Sequence, residues 1–401
     1  MRYTDIAIIG GGLAGSTAAA MLGRAGIPAV LVDPHAVYPP DFRVEKLGGE
    51  EQIERFRKTG LLEAVLRKAT VADENWIARS GHLLDKAPLQ QIGIRYDALV
   101  NTIRAEIPPG VERVVAKTVS IATSDDRQKV ELSNGETISA RLVVIANGLN
   151  VGLRHMLGIE RHVHSACHSI SIGFDIAPLG RSAFPFPALT YFSERPSDRI
   201  PYVTLFPIGA TMRANLFVYR DFDDPWLGEF RRAPAETLNA ALPRLKRITG
   251  PFAISGDVKI RPADLCVNTG YRRAGIVLVG DAFETTCPVT GTGTDKVFTD
   301  VERLCNVHIP AWLATEAMEE AKIAAFYDDP LKRACDEWAM AKAYSFRSVS
   351  IDPDFYWALE RRARFFKWLG RGLWRRQFER WRAVLPVHSS SSSSSSLSPS
   401  A

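Results

Sequence analysis

The sequence predicts an α/β fold in which a Rossmann-like unit is interrupted by a mostly antiparallel β-sheet domain and followed by a helical C-terminal region. Three observations carry this. The chain opens as strand, glycine turn, helix and strand, a βαβ unit that needs a parallel sheet around it. After a long β-rich and proline-rich stretch it returns, at Ile276-Val277-Leu278-Val279, to the short apolar run of a buried parallel strand. From residue 305 to 385 the pattern is then mostly helical. A chain of 401 residues, 46% hydrophobic and 24% charged, has the length for roughly two to three domains and the apolar content for packed cores.

Each element follows in order. Ile6-Ala7-Ile8-Ile9 reads as a buried strand, residues 14–24 as a helix rich in Ala, Leu and Met, Gly26 as its stop, and Ala29-Val30-Leu31-Val32 as the second strand. Over residues 50–68, Ile53, Phe56, Leu61, Leu62 and Val65 recur near a period of 3.6 residues and predict helix, as does the stretch 98–107. Residues 114–138 predict a small antiparallel meander with Asn134-Gly135 as a hairpin turn, and Leu142-Val143-Val144-Ile145 another buried strand. In the middle, Tyr202-Val203-Thr204-Leu205-Phe206 and Asn215-Leu216-Phe217-Val218-Tyr219 mark an antiparallel sheet. The expected division is 1–161 with 268–305 as one discontinuous domain, 162–267 as the inserted sheet domain, 306–388 as the helical region, and 389–401 as a disordered serine-rich tail.

Composition also excludes classes. A net charge of +5, much of it near the C-terminus, argues against nucleic acid as a partner. Residues 1–9 lack the plan of a secretory signal, and no apolar run has the length to span a bilayer. Five scattered cysteines, an odd number, suggest reduced thiols and a cytoplasmic chain.

The chemistry begins at Gly10-Gly11-Gly12-Leu13-Ala14-Gly15, a G-x-G-x-x-G run between strand and helix. Gly10 makes the tight turn, Gly12 admits a pyrophosphate to the backbone, and Gly15 lets helix and strand pack closely. The helix N-terminus at Leu13 and Ala14 offers amides and a positive dipole end to phosphate. Asp33 ends the next strand near the ~20-residue offset at which a carboxylate binds a ribose hydroxyl. An ordinary glycine-rich βαβ turn is the bland alternative; with the acid in place the pattern indicates a dinucleotide site, without choosing between NAD and FAD.

The second motif makes that choice. Gly280-Asp281-Ala282-Phe283, followed by Pro288-Val289-Thr290-Gly291-Thr292-Gly293, resembles the GD motif of the para-hydroxybenzoate hydroxylase-like FAD-dependent monooxygenases, and is similar to segments of squalene epoxidases. The resemblance, which covers about residues 1–305, implies an FAD-binding domain of the glutathione reductase type and a substrate-binding middle domain. It implies that Asp281 contacts the ribityl chain, that Pro288, Gly291, Thr292 and Gly293 lie at the flavin ring, and that the next helix aims its N-terminus there. It further implies NADH or NADPH as reductant, and O2 activated as a flavin C4a-hydroperoxide to hydroxylate or epoxidise a hydrophobic or aromatic small molecule. Catalytic residues are not named by it, and cofactor chemistry leaves the protein to supply placement and a dry pocket.

Arg43, in Phe42-Arg43-Val44-Glu45-Lys46-Leu47, sits where the family places an arginine near the flavin, although an exposed surface arginine fits as well. Arg95 or Tyr96, before Leu99, falls near the family's R-x-x-L helix start. The family's A-D-G-x-x-S-x-x-R is altered here to Ala146-Asn147-Gly148 through Val151 to Arg154, which bears on nicotinamide use, and the later N-x-G becomes Asp295-Lys296-Val297. The R-x-E-x-L segment from Arg43 to Leu47 and the altered Ala146-Asn147-Gly148 motif leave room for a geranylgeranyl reductase-like enzyme. The W-x-W-x-I-P signature of tryptophan halogenases is absent, which weakens a flavin-dependent halogenase reading. His162, His164 and His168 share a strand face, but no carboxylate completes a set, so no metal is expected. Residues 360–382 carry nine basic and two acidic residues among six aromatics, with Gly370 and Gly372 expected to interrupt the helix. Such a segment suits either a peripheral membrane contact or helices packed on the first domain, and the former extends to a non-catalytic, membrane-docking flavin-binding protein as a further alternative.

Overall fold

The computed structural model describes residues 1–384, without the side chains of residues 44 and 379–384; the tail expected over 389–401 lies outside the described residues. Along the chain, β1 (Arg2–Ile9) turns into α1 (Leu13–Arg24), and β2 (Ala29–Asp33) returns parallel to β1. There follow β3 (Val44–Gly48), α2 (Glu50–Lys58), β4 (His82–Ala87), α3 (Tyr96–Ala105), β5 (Thr137–Ile145) and β6 (Glu160–Pro178). The elements β7 (Ile276–Leu278), α4 (Gly293–Arg303), α5 (Pro330–Ile351) and α6 (Phe355–Val384) complete the set needed to place the site.

The first sheet runs in the order Glu112–Val115, β2, β1, β5, Gln128–Leu132, Thr118–Ala122. β5 is shared: residues 137–140 pair antiparallel with Gln128–Leu132, and residues 143–145 pair parallel with β7. The continuous apolar runs Ile6–Ile9 and Leu142–Ile145 are buried throughout, as strands covered on both faces must be. One expectation is corrected here. The run from 114 does not open a meander: Glu112–Val115 adds to β2 in parallel, and only the strands after it are antiparallel. The Asn134-Gly135 turn is present, with Gly135 at φ +83° as a tight hairpin needs.

The second sheet has the order Phe252–Thr269, β6, Thr211–Val218, Tyr202–Ile208, Ala188–Phe192, Asn75–Arg79, β4. Its last two strands come from the N-terminal third of the chain, and only Ala188–Phe192 with Asn75–Arg79 pairs parallel. Alternation along β6 separates its two faces. Ile170, Ile172, Phe174 and Ile176 enter a core with helices Pro225–Arg232 and Pro234–Ala241. Ser169, Ser171 and Asp175 face the first unit. A small third sheet of β3, Gln91–Arg95 and Thr70–Ala72 lies between the two units, and Gly93 lacks the Cβ that would strike the Pro207 carbonyl of the second sheet.

The helical C-terminus is anchored at two places. α5 packs on α4 through buried charges. α6 lies along β4, with Phe365, Trp368 and Leu369 against Leu84 and Ile77. α6 is one helix of 30 residues, not interrupted at its glycines. Gly372 is there because the helix touches the strand: a Cβ would collide with the Leu84 carbonyl.

Candidate functional site

Helix α1 begins without a side-chain cap, so its first amides remain available to a ligand. Gly10 holds φ +102°, and a Cβ there would stand 2.7 Å from the Ala146 oxygen. At Gly15 a Cβ would collide with the Gly10 carbonyl, which is the close packing expected of the third glycine. At Gly12 the space is open, with Tyr96 Oη 3.8 Å from the Cβ position. The backbone N–H of Leu13 donates weakly to that same hydroxyl at 3.4 Å, and Ala14 is buried behind it.

Asp33 closes the turn from the far side. Its Oδ2 accepts from Gly11 N–H at 2.6 Å, its Oδ1 from His35 N–H at 2.9 Å, and the guanidinium of Arg104 lies 3.1 Å away. Arg104 is 3% exposed and also donates to the Gly11 carbonyl at 2.9 and 2.6 Å. A hollow beside Asp33 is lined by Leu31, His35, Ala36, Arg113, Val114 and Val115. Sequence reasoning missed Arg104; the signal for it was a cation on the helix face otherwise made by Tyr96, Leu99, Val100 and Ile103.

The second glycine turn lies over the first. The Cβ position of Gly280 falls 3.5 Å from the Ala14 Cβ, and Gly280 N–H donates to Asp300 Oδ2 at 2.9 Å. Arg154, buried, donates to the Gly148 and Ala282 carbonyls at 3.0 and 2.7 Å, while Asn268 Nδ2 reaches the carbonyls of Ala282 and Phe283. Burial lowers the Arg154 guanidinium to about 10. So the arginine at the end of the altered third motif bolts the GD turn from beneath. Asp281 itself has no hydrogen bond or ion pair with any described residue. Burial pushes its carboxyl up, against the pull of Arg43, Lys296 and Arg154.

Arg43 stands over the Tyr96 ring at 3.9 Å, held by Asp41 at 2.6 Å and Tyr38 Oη at 3.0 Å. It is a pinned cation, not a free surface arginine. Of the two candidates near the R-x-x-L start, Tyr96 faces the glycine turn, and Arg95 points to Asp175 of the second sheet at 3.4 Å. Beside Arg43, burial and repulsion from Asp281 and Asp41 lift the Glu45 carboxyl to about 7 against the pull of Arg43. On the opposite face of β3, burial lowers the Lys46 ammonium to about 8.

Pro288 starts a short 3-10 turn and is exposed; Gly291 follows at φ +69° with open space around its Cβ position. The Gly291 carbonyl accepts from Gln52 Nε2 at 3.1 Å, which also donates to Asp295 Oδ2 at 2.8 Å, so α2 steadies the start of α4. Thr292 is fully buried as the N-cap position, bonded through its hydroxyl to Thr290 at 2.9 Å, and Gly293 opens α4 with Thr286 close by. This turn meets the second sheet: Tyr202 Oη donates to the Val289 carbonyl, and Ser169 Oγ lies 3.4 Å from Cys287 Sγ. The sheet face beneath carries Ser171, whose hydroxyl has no partner, with Thr204 and Asn215 on neighbouring strands. The aromatics Phe186, Tyr191 and Phe206 are core, while Phe217 and Tyr219 cluster with Cys287 and Val289. His162 and His164 pair edge-to-face at 4.9 Å, whereas His168 is buried and bonded to Ser165, so the three do not converge.

Tested against an FAD, the residues fit. Two glycine turns leave open space at Gly12 and Gly291, α1 presents uncapped amides, and a half-buried carboxylate at Asp281, with no hydrogen bond or ion pair to a described residue, suits a hydroxylated chain.

Comparison with known proteins agrees. Residues 3–320 match the family described as FAD binding domain. The 3-demethoxyubiquinol 3-hydroxylase of Escherichia coli (strain K12) is 25% identical over 363 residues, 84% of this chain and 87% of that protein. The 6-hydroxynicotinate 3-monooxygenase of Bordetella bronchiseptica is 27% identical over 232 residues, 50% of this chain and 58% of that one. Among solved structures, the p-nitrophenol 4-monooxygenase of Pseudomonas putida DLL-E4 shares the fold with a TM-score of 0.73 at 17% identity, covering 93% of this chain and 95% of its own. A flavin-dependent brominase shares it with a TM-score of 0.69 at 16% identity, over 95% and 100% of the two chains. The chain therefore belongs to the FAD binding domain family, and it is an FAD-dependent oxidoreductase of the monooxygenase class.

Proposed function

We propose that the chain inserts one atom of O2 into an aromatic or lipophilic small molecule, with NADH or NADPH as reductant and water as the second product. The observation that carries this reading is Asp281, a half-buried carboxylate with no partner among the described residues, on a turn packed over the first turn of α1. FAD, when bound, supplies hydride acceptance and oxygen activation. The protein's own residues do the rest. Gly10, Gly12, Leu13, Ala14 and Gly15 present backbone to the pyrophosphate, and Asp33 holds a ribose hydroxyl with Arg104 fixing its angle. Asp281 takes the ribityl hydroxyls, and Arg43 offsets phosphate charge. Pro288, Gly291, Thr292 and Gly293 form the wall at the ring, with the α4 N-terminus behind them.

The substrate lies between that wall and the inward face of the second sheet. Phe217 and Tyr202 exclude water, and the hydroxyls of Ser171 and Thr204 orient an oxygen function on the ring. The names of the relatives support a ring substrate: one is a 3-demethoxyubiquinol 3-hydroxylase, another a 6-hydroxynicotinate 3-monooxygenase. Peripheral membrane contact through residues 360–382 is a separate reading, independent of the chemistry, and it rests on the outward face of α6.

Product formed under 18O2 should carry one labelled oxygen, and its yield should match the NAD(P)H consumed. Anaerobic formation of a saturated product would replace this reading with a prenyl reductase, and strict halide dependence would replace it with a halogenase. Asp281→Asn should raise the FAD dissociation constant at least about tenfold, which is one charge-assisted hydrogen bond's worth of affinity. Unchanged affinity in a folded variant would remove Asp281 from the site.

A further inference from the structure

Helix α6 has two faces, and only one is explained by the fold. Its inward face packs on β4 through Phe365, Trp368 and Leu369 and is stapled by Arg361 to the Asp352 carbonyl at 2.7 Å. Arg375 completes the staple, donating to the Lys86 carbonyl beside the buried Asp85 carboxylate. At 3.6 residues per turn, Phe355, Tyr356, Leu359, Phe366, Leu373 and Trp374 fall together in one outward arc about 100° wide. Each of these six is between 55% and 80% exposed. The other positions in the arc are Ala363, Gly370 and Gln377, so no charged residue interrupts it. From Phe355 to Trp374 the stripe extends about 28 Å, far beyond the scattered single apolar residues that an ordinary surface shows.

The borders of the arc are basic on both sides. Arg362 and Arg376 lie along one edge, Lys367 and Arg371 along the other, all four exposed. The one acid between 355 and 378 is Glu360, which Arg364 neutralises at 2.8 Å. A second copy of this face would set these cations against their counterparts. Residues 385–401 hold Leu385, Val387 and Leu397 as their large apolar residues. The chemistry complementary to an apolar stripe with two cationic margins is an anionic lipid interface, with acyl chains for the stripe and headgroup phosphates for the margins.

We propose that the outward face of α6 docks the protein flat on a bilayer bearing anionic phospholipid, with the apolar arc in the headgroup–acyl boundary and Arg362, Lys367, Arg371 and Arg376 on the phosphates. This goes beyond the catalytic reading and stands without it, because no residue of the flavin or substrate site takes part. The test is flotation of the full FAD-loaded chain with vesicles of phosphatidylcholine alone or mixed with phosphatidylglycerol. Binding to the anionic vesicles should exceed that to neutral ones at least about tenfold and should weaken with added salt. The double variant Phe366→Asp/Leu373→Asp should stay in the supernatant with unchanged FAD content and circular dichroism. Arg362→Glu/Arg376→Glu should lose the preference for anionic lipid. Wild-type protein that floats with neither vesicle, or an aspartate variant that floats as wild type, overturns the proposal. So does a sedimentation result in which the wild type is a dimer and the aspartate variant a monomer, since a second copy would then be the occupant.

Discussion

At the scale of single residues, β3 sets two unusual groups side by side and turns them opposite ways. Glu45 has a folded value of about 7 against an ordinary 4.5, so between those values the folded chain keeps a proton that the unfolded chain has lost. Its contribution is therefore fully present below pH 4.5 and is lost as the pH rises through 7. Lys46 behaves inversely: its folded value of about 8 lies below the ordinary 10.5, and stability rises over that upper window. In thermal unfolding of protein freed of FAD, Glu45→Gln should flatten the pH profile below 7 and leave the profile above 8 alone, and Lys46→Met should do the reverse. Identical profiles for wild type and both variants would show that neither group is held as the fold implies. Neither property was legible in the sequence, where Glu45 and Lys46 are two charged residues in a run of charges. The glycines of the first turn were legible, because Gly10, Gly12 and Gly15 form a local spacing between a strand and a helix, although the contact that constrains Gly10 comes from Ala146. Arg104 and Gln52 were not, since what each one touches lies 93 and 239 residues away.

At the scale of elements, the two glycines of α6 separate conformational cost from close packing. Gly370 faces open space, so Gly370→Ala should stabilise by about 0.5–1 kcal/mol through the helix propensity of alanine. Gly372→Ala must push the helix off the Leu84 carbonyl and should destabilise by more than that gain. Chemical denaturation of the two variants checks the contrast, and equal effects would mean the helix does not rest on β4. From the sequence the pair read as a break in the helix, because the strand that needs Gly372 is nearly 300 positions earlier. Elements whose partners are near in sequence were read correctly, the β1–α1–β2 unit and the turn at Asn134-Gly135, but the helix expected over 50–68 is two, α2 and Leu62–Leu66, parted at Gly60 with φ +72°. The strands Asn75–Arg79 and β4 were not seen to join the second sheet, because no local pattern says which sheet a strand will enter.

At the scale of the whole molecule, the turn carrying Asp281 is tied to the C-terminal helices by a buried group of charges. Lys332, fully buried, lies 3.1 Å from Asp300 and 2.8 Å from Asp336, while Lys296 lies 3.2 Å from Glu284 and also meets Asp336. Asp300 in turn holds the Gly280 amide, so helix α5 and the GD turn share one carboxylate. Lys332→Met leaves acids buried with too few cations and should cost about 3–5 kcal/mol, with little dependence on salt. FAD affinity should fall with it, and a variant of unchanged stability and affinity would show the two regions to be uncoupled. A different consequence comes from β5, which pairs with β7 across an insertion of more than a hundred residues. The second sheet needs nothing later than residue 269, whereas the first lacks a strand until residue 278 exists. On the ribosome, then, the inserted sheet has all its strands before the unit that encloses it does. The N-terminal glycine turn, made first, waits for the GD turn and for the segment Pro288 to Gly293, the last parts of the site to be made.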